Sequence, residues 1–348
     1  MRSPARSVGD LAVWFSSAVR IERVDVRDLG LELADELAQV QSDAARADGL
    51  PFPDTSGPEL LTSLQLGSDS RPRDALLVAT DDRPVGFATV ELPWRDNTDA
   101  AHLRVEVRPD ARRQGVGRAL WEAAVDVARG AGRTRLRAGA WEGTPGETVL
   151  ASHGAERTGV GVVRRLDLHA SSPETWFRLR EEALAHAEAY ELLHQVGGTP
   201  PDRVAAMVAL HEAMNDAPST DPDEQPDVWD AARLADYENA MRGRRQTVHR
   251  VVARHVGSGR LVAHSVVAVN EFSPSYAFQE DTAVTRAHRG HRLGLLMKAE
   301  MLVWLGEERP EVAVVDTWND ATNHHMIAIN ERLGATVVAR HQGFRLPL

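Results

Sequence analysis

The sequence predicts an α+β protein in which one sheet domain is used twice, and three observations carry that prediction. The stretch from Phe278 to Leu296 reads as a strand, a tight basic turn and the first turn of a helix. The stretch Val107-Arg108-Pro109-Asp110-Ala111-Arg112-Arg113-Gln114-Gly115-Val116-Gly117-Arg118-Ala119-Leu120 has the same plan, and Val107 to Val284 and Arg112 to Arg289 are both 177 residues apart. Around each copy the alternation of apolar and polar residues gives the same order, β-α-α-β-β-β-α-β-α-β. An internal repeat decides architecture before residue-level detail. The length of 348 residues suits two domains of ~150 each.

In the first half, Ile21 to Val26 alternates as a strand, and Leu31 to Ala47 has helical spacing up to Gly49. Gly57 to Leu66 reads as a second helix after Pro51 and Pro53, and Ala75 to Thr80 with Pro84 to Leu92 as a hairpin around Asp81-Asp82-Arg83. His102 to Val107 is the strand before the first basic turn, and Gly115 to Arg129 a helix stopped by Gly130-Ala131-Gly132. Arg135 to Trp141, Glu147 to His153 and Val160 to Leu168 follow as strand, helix and strand. After the His169–Pro173 linker, Glu174 to Ala189 is helical by composition and bridges the halves.

The second half restarts with a strand at Tyr190 to Val196 and a helix at Asp202 to Met214, with Pro201 at its start. Helix Val228 to Arg242, hairpin Thr247–Arg254 with Leu261–Asn270, strand Val312–Trp318, helix Asn323–Arg332 and strand Ala335–Leu346 complete it. The expected boundaries are a tail at 1–19, a domain at 20–168, a linker helix at 169–188 and a domain at 189–348. Arg2 and Arg6 ahead of Leu11 to Phe15 faintly suggest a leader, but Ser16-Ser17 interrupt it and no small-x-small cleavage site follows. A poorly ordered tail is expected there.

With 43% hydrophobic and 26% charged residues the composition is that of a soluble globular protein. The absence of cysteine excludes disulfides, thiolate metal sites and a cysteine nucleophile, suits the cytoplasm, and no metal is assigned. A net charge of −11 argues against a nucleic-acid partner and leans toward a cationic acceptor. No apolar run approaches the ~20 residues that span a bilayer, so no membrane association is expected.

The turns carry the first chemistry. A helix N-terminus presents backbone N–H groups without intrahelical partners, and nearby cations make it an anion site. Arg289-Gly290-His291-Arg292-Leu293-Gly294 offers this in the second half and Arg112-Arg113-Gln114-Gly115-Val116-Gly117 in the first. Glu280 and Asp281 stand on the strand before the second turn.

Both halves resemble the GCN5-related N-acetyltransferase (GNAT) family, over roughly 20–168 and 188–348. The family's Arg/Gln-x-x-Gly-x-Gly/Ala turn is complete at Arg112–Gly117, while the second half has Arg292 at the first glycine position. The resemblance implies two tandem GNAT-like domains. Each would be a mixed, mostly antiparallel sheet splayed between strands four and five and flanked by helices. It implies acetyl-CoA as cofactor, its pyrophosphate held by Arg112, Arg113, Gln114, Gly115, Val116 and Gly117 beside Val107, or by Arg289, Gly290, His291, Arg292, Leu293 and Gly294. Only a left-handed backbone at Arg292 would exclude that residue.

In many members a carboxylate base lies four residues before the valine that opens the turn. That position is Glu280 in the second half and Leu103 in the first, which places catalysis in the second half. His102 and Glu106 have the wrong strand parity, and adjacent Glu280 and Asp281 point to opposite sides unless a bulge shifts them. Two adjacent carboxylates would raise each other's pKa. By the same resemblance an amide at Ala283 or Val284 polarises the acetyl carbonyl, and Asn323 caps the last helix and contacts the cofactor. The tyrosine that usually protonates the leaving thiolate is missing, Asn330 and Leu150 standing there, with His324 or His325 as substitutes. Asn215 and Asp216, ahead of Asp221, Asp223 and Glu224, read as an acceptor loop for an amine. The expected function is acetyl transfer to a small-molecule amine in a ternary complex, by a monomer or homodimer. The alternatives are a non-catalytic acyl-CoA-binding or regulatory protein and a protein lysine or N-terminal acetyltransferase.

Overall fold

The computed structural model describes residues 13–15, 19–218 and 223–348. The first half runs β1 (Val13–Phe15), β2 (Arg20–Val24), α1 (Leu31–Ala47), α2 (Gly57–Leu66), β3 (Ala75–Asp81), β4 (Arg83–Glu91), β5 (Ala100–Val107), α3 (Val116–Gly130), β6 (Arg135–Trp141), α4 (Pro145–Ser152) and β7 (Glu156–Asp167). Helix α5 (Pro173–Leu184) follows. The second half runs β8 (Tyr190–Val196), α6 (Val204–Glu212), α7 (Ala231–Gly243), β9 (Gln246–His255), β10 (Leu261–Asn270), β11 (Tyr276–Val284), α8 (Leu293–Glu308), β12 (Val314–Asp320), α9 (His324–Arg332) and β13 (Thr336–Pro347). From β2 and from β8 onward both halves have the predicted order. Of the expected N-terminal tail, Arg2, Arg6 and Leu11 lie outside the described residues, whereas Val13–Phe15 pairs with β2 as an added edge strand.

Local chemistry sets the ends of the elements. The Ser56 hydroxyl accepts from the Glu59 amide to start α2, and Asp230 accepts from Arg233 to start α7. Helix α3 buries Val116, Leu120, Ala123, Ala124 and Ala128 against β2–β5, one apolar stripe on a sheet. Helix α8 is buried on nearly every side, from Leu293 to Leu305. The reason is α5, whose Trp176, Leu179 and Ala183 cover the side of α8 that faces away from the sheet.

Among the described residues all strands form one sheet in the order β1-β2-β3-β4-β5-β6-β13-β7-β12-β11-β10-β9-β8. Neighbours are antiparallel except β5 with β6 and β11 with β12. The two halves exchange their last strands: β13 inserts between β6 and β7, and β7 inserts between β13 and β12. The mixed sheet opens twice. Parallel pairing holds only from Ala100 to His102 against Arg135 to Arg137, and from Tyr276 to Gln279 against Val314 to Thr317. Beyond those points β6 and β12 follow their exchanged neighbours, so residues 103–107 and 280–284 face an opening. This is the expected splay between the fourth and fifth strands of each half.

Across the seam lies an aromatic tier. Phe52 meets Trp141 at 4.8 Å, and Trp141 and Trp318 both contact the His341 ring, at 4.9 and 5.2 Å. Gly139 and Gly161 leave room for it. A Cβ at Gly139 would fall 2.0 Å from the His341 ring, and one at Gly161 2.2 Å from Trp318.

Candidate active site

Strand β11 carries an irregularity where the second opening begins. Ser265 faces Thr282 and Val267 faces Gln279, so β11 holds one extra residue across this span. Glu280 and Asp281 occupy it. Regular alternation would send neighbours to opposite faces, but a bulge re-aims a side chain. Here both carboxylates line one cavity of about 400 Å³. The matching first-half pairing of β4 with β5 runs from Gly86–Val107 to Glu91–His102 without a shift.

The cavity lies between the halves. His211 from α6, Trp229, and Tyr237 from α7 line one side, and Trp94, His102 and Arg137 of the first half line another. His102, set aside on strand parity, thus reaches the same space as Glu280. Burial pushes its imidazole down to about 4, with Arg137 and Arg73 adding to the effect. The arginines on the lining are engaged: Arg73 with Glu91, Arg95 with Asp236, Arg137 with Glu224, Arg233 with Asp227 and Arg71 with Asp74. Among the described residues no side chain hydrogen-bonds the Glu280 carboxylate. The uncompensated charge in the cavity is therefore negative, which attracts a cation.

The two carboxylates differ in state. Burial, and to a lesser extent the charge of Asp281, push Glu280 up to about 7 against the opposing Arg244. Burial also raises Asp281, but His211, His264 and Arg250 outweigh it and hold Asp281 below the usual range. The expectation that each acid raises the other holds only for Glu280. A pair pushed apart in this way divides a proton-accepting role from a permanently ionised one.

Each basic turn has two left-handed residues ahead of its helix, Arg113 and Gly115 in the first half, Gly290 and Arg292 in the second. The backbone at Arg292 is thus the left-handed one expected to exclude a side chain, at φ 55°, and the arginine occupies it. One glycine and one arginine serve each turn, in swapped positions. Strain of order 1–3 kcal/mol at such a residue persists where the surroundings enforce it. Gly115 and Gly290 have nothing within 4 Å of a built Cβ, so the approach to both helix N-termini is open. These residues fit a diphosphate, with amides of Val116 and Gly117 or of Leu293 and Gly294 unused by their own helices.

Arg112, Arg289 and Arg292 of the turns are engaged elsewhere. Arg112 Nε donates to the Val107 carbonyl and its terminal nitrogens to Asp48, while Arg289 Nε donates to the Val284 carbonyl and Nη2 to Asp216. Both brace turn to strand in the same way. Arg292 pairs with Glu182 of α5. Gln114 donates to the Asp110 carbonyl, and Arg113 and His291 are exposed. Ala283 is buried and Val284 half-buried at the opening.

The acceptor-loop residues are placed differently from the expectation. Asp216 holds Arg286 and Arg289, and Asn215 exchanges two hydrogen bonds with the Asp227 backbone, while neighbouring Met214 lines the cavity. Asp221 lies outside the described residues. Asp223 pairs with Arg345 and Glu224 with Arg137, tying the loop to the sheet. Asn323 caps α9 by accepting from the Met326 amide. Asn330 is buried and donates to Asn319 Oδ1 at 2.6 Å, Leu150 is buried, and His324 and His325 are exposed.

Sequence reading missed His211 and His264, 1% and 0% exposed beside Asp281. Their signal was a lone imidazole inside an apolar run, at Leu210-His211 and Ala263-His264. Burial pushes His264 down to about 3.

Comparison with known proteins agrees with this fold. The acetyltransferase (GNAT) family model matches residues 37–144. The chain is 37% identical over 119 residues to a mycothiol acetyltransferase of Geodermatophilus obscurus, a match spanning 34% of this chain and 37% of that protein. A tandem GNAT protein from the clavulanic acid biosynthesis pathway superposes with a TM-score of 0.76 at 25% identity, over 94% of this chain and 98% of that one. A GCN5-related N-acetyltransferase from Sphaerobacter thermophilus has the same fold, with a TM-score of 0.68 at 17% identity over 96% and 97% of the chains. The matched half, residues 37–144, thus carries the GNAT acetyltransferase pattern with its basic turn complete, and the doubled splayed sheet of the described chain has the fold of a tandem GNAT protein.

Proposed function

We propose that the protein is an N-acetyltransferase that moves acetyl from acetyl-CoA to the amine of a small molecule. Two GNAT-like units at 20–168 and 189–348 share the sheet, and the chemistry belongs to the second. The observation that carries this reading is Glu280, an unpaired, largely buried carboxylate at the mouth of an opened sheet, facing a cavity whose arginines are all engaged.

Acetyl-CoA supplies the acetyl group as a thioester when bound. The turn at Arg289, Gly290, His291, Arg292, Leu293 and Gly294 holds its diphosphate through backbone amides, and Asn323 borders the same opening. Glu280 takes the proton that an ammonium must lose before its nitrogen can attack. Asp281 stays ionised at the cavity wall. The amide of Ala283 or Val284 at the splay polarises the reacting carbonyl. A cavity of about 400 Å³ fits a small acceptor better than a peptide segment.

The test is an acetyl-CoA consumption assay across a panel of amines and amino sugars, repeated with Glu280→Gln. A hit that Glu280→Gln abolishes supports the reading. No consumption with any amine, despite measured acetyl-CoA binding, favours a binding protein.

A further inference from the structure

We propose that His211, His264 and Asp281 form a site for a divalent transition cation of the Zn²⁺ class at the wall of the acceptor cavity. One donor atom from each residue lies within 4.8 Å of the others, and His211 Nδ1 stands 3.3 Å from Asp281 Oδ2. Ligands on one tetrahedral ion with bonds of ~2.0–2.2 Å sit roughly 3.4 Å apart. One edge of that tetrahedron is therefore in place, and a His264 nitrogen lies within 4.8 Å of both ends of it.

A second observation is independent of the spacing. Both imidazoles are buried; neither nitrogen of His264 nor Nε2 of His211 has a hydrogen-bond partner, and the polar neighbour of His211 Nδ1 is Asp281 Oδ2. Buried polar atoms are seldom left so, because each costs the full desolvation penalty. The rings cross at 89° with centroids 5.1 Å apart beside a carboxylate, and one cation would take one nitrogen from each.

Donor type selects the ion. Imidazole with carboxylate suits Zn²⁺, Co²⁺ or Ni²⁺, whereas Mg²⁺ and Ca²⁺ require oxygen shells. The His211 ring plane is fixed by stacking on Trp229 at 4.2 Å and by the Tyr237 edge at 5.5 Å. Three protein ligands leave a fourth position open. His211 and Asp281 line the cavity, so that position faces the acceptor and would take one of its oxygen or nitrogen donors. The repeat places Phe87 and Arg104 at the positions of His264 and Asp281, so the first half lacks the set.

The ion's binding does not depend on the acetyl-transfer reading, and its test uses no turnover. The metal-free full chain is titrated with Co²⁺ while visible absorption is recorded, and Zn²⁺ is then added as competitor. One Co²⁺ per chain with a four-coordinate spectrum, displaced by Zn²⁺, is expected. His211→Gln and Asp281→Asn, each checked for folding by circular dichroism, should weaken binding at least ~100-fold. His255→Ala, in the separate group where His255, His288 and His291 contact Tyr190, should leave it unchanged. Absence of stoichiometric binding overturns the proposal, as does binding that survives in folded Asp281→Asn or is lost in His255→Ala. Should His211→Gln fail to fold, Zn²⁺ should still raise the melting temperature of the native chain and not that of Asp281→Asn, and equal shifts would also overturn it.

Discussion

Trp141 and Trp318 stand 177 residues apart, the offset of the basic turns, and their rings meet at 5.8 Å and 64° over the centre of the shared sheet. Equivalent residues of the two halves thus touch each other at the seam. Because β7 and β13 are exchanged around this contact, the halves should unfold as one unit. Chemical denaturation should show a single transition by fluorescence and circular dichroism, and Trp141→Ala should lower stability by about 2–4 kcal/mol without splitting it. Two separate transitions in the native chain would contradict the interlocked sheet.

Glu280→Gln keeps the shape of the side chain and removes its basicity. Turnover on the true acceptor should fall ~10²-fold or more with acetyl-CoA affinity nearly unchanged. Steady-state kinetics with calorimetric titration separate the two quantities, and full turnover in the variant would exclude Glu280 as the base.

The two cradles are separable by charge. Gly117→Glu and Gly294→Glu, made singly, each place a carboxylate at a helix N-terminus where a diphosphate would sit. Titration with acetyl-CoA should show loss of binding only for the half that uses the ligand. A built Cβ at Gly294 lies 3.3 Å from Ile329 Cδ1, so the fold of that variant needs checking by circular dichroism. Unaltered affinity in both variants would exclude both cradles.

Lys298 on α8 is 5% exposed, and burial alone pushes its amine down to about 7. In the unfolded chain a lysine titrates near 10.4. Between about 7 and about 10 the unfolded state therefore binds one more proton than the folded state, and stability rises with pH across that window. Below about 7 the burial cost is fully present. Lys298→Met should stabilise the protein by a few kcal/mol at pH 7, and its advantage should shrink by about 1.4 kcal/mol per pH unit toward pH 10. A constant difference between variant and native chain, read from denaturation at pH 7, 8 and 9, would show that the amine is not desolvated.

Much of the fold was legible because its signals are local. Strand alternation, the stop at Gly130-Ala131-Gly132, the helix start beside Pro201 and the repeat itself lie within short windows, and β6, β8 and β10 fall where the pattern puts them. The exchange of β7 and β13 left no such trace, since an alternating strand looks the same whichever neighbour it pairs with. The extra residue in β11 is likewise a matter of register with β10 and cannot be seen along β11 alone. In the site, Glu280 was readable from its offset to the turn. His211 and His264 are 53 residues apart on a helix and a strand, and only the folded sheet brings them to Asp281. Asp216 reads in sequence as an acceptor contact, yet two arginines of the turn compete for it more closely.

The insertion of β13 beside β6 also orders events in time. A chain leaving the ribosome presents every other strand of its first half long before residues 336–347 are made. Until then β6 has an unmatched edge of amides and carbonyls next to apolar surface, the kind of edge that recruits stray strands. Nascent chains and messages cut short near the 3′ end should consequently be the aggregation-prone species, and loss of the last dozen residues should injure the half of the molecule translated first.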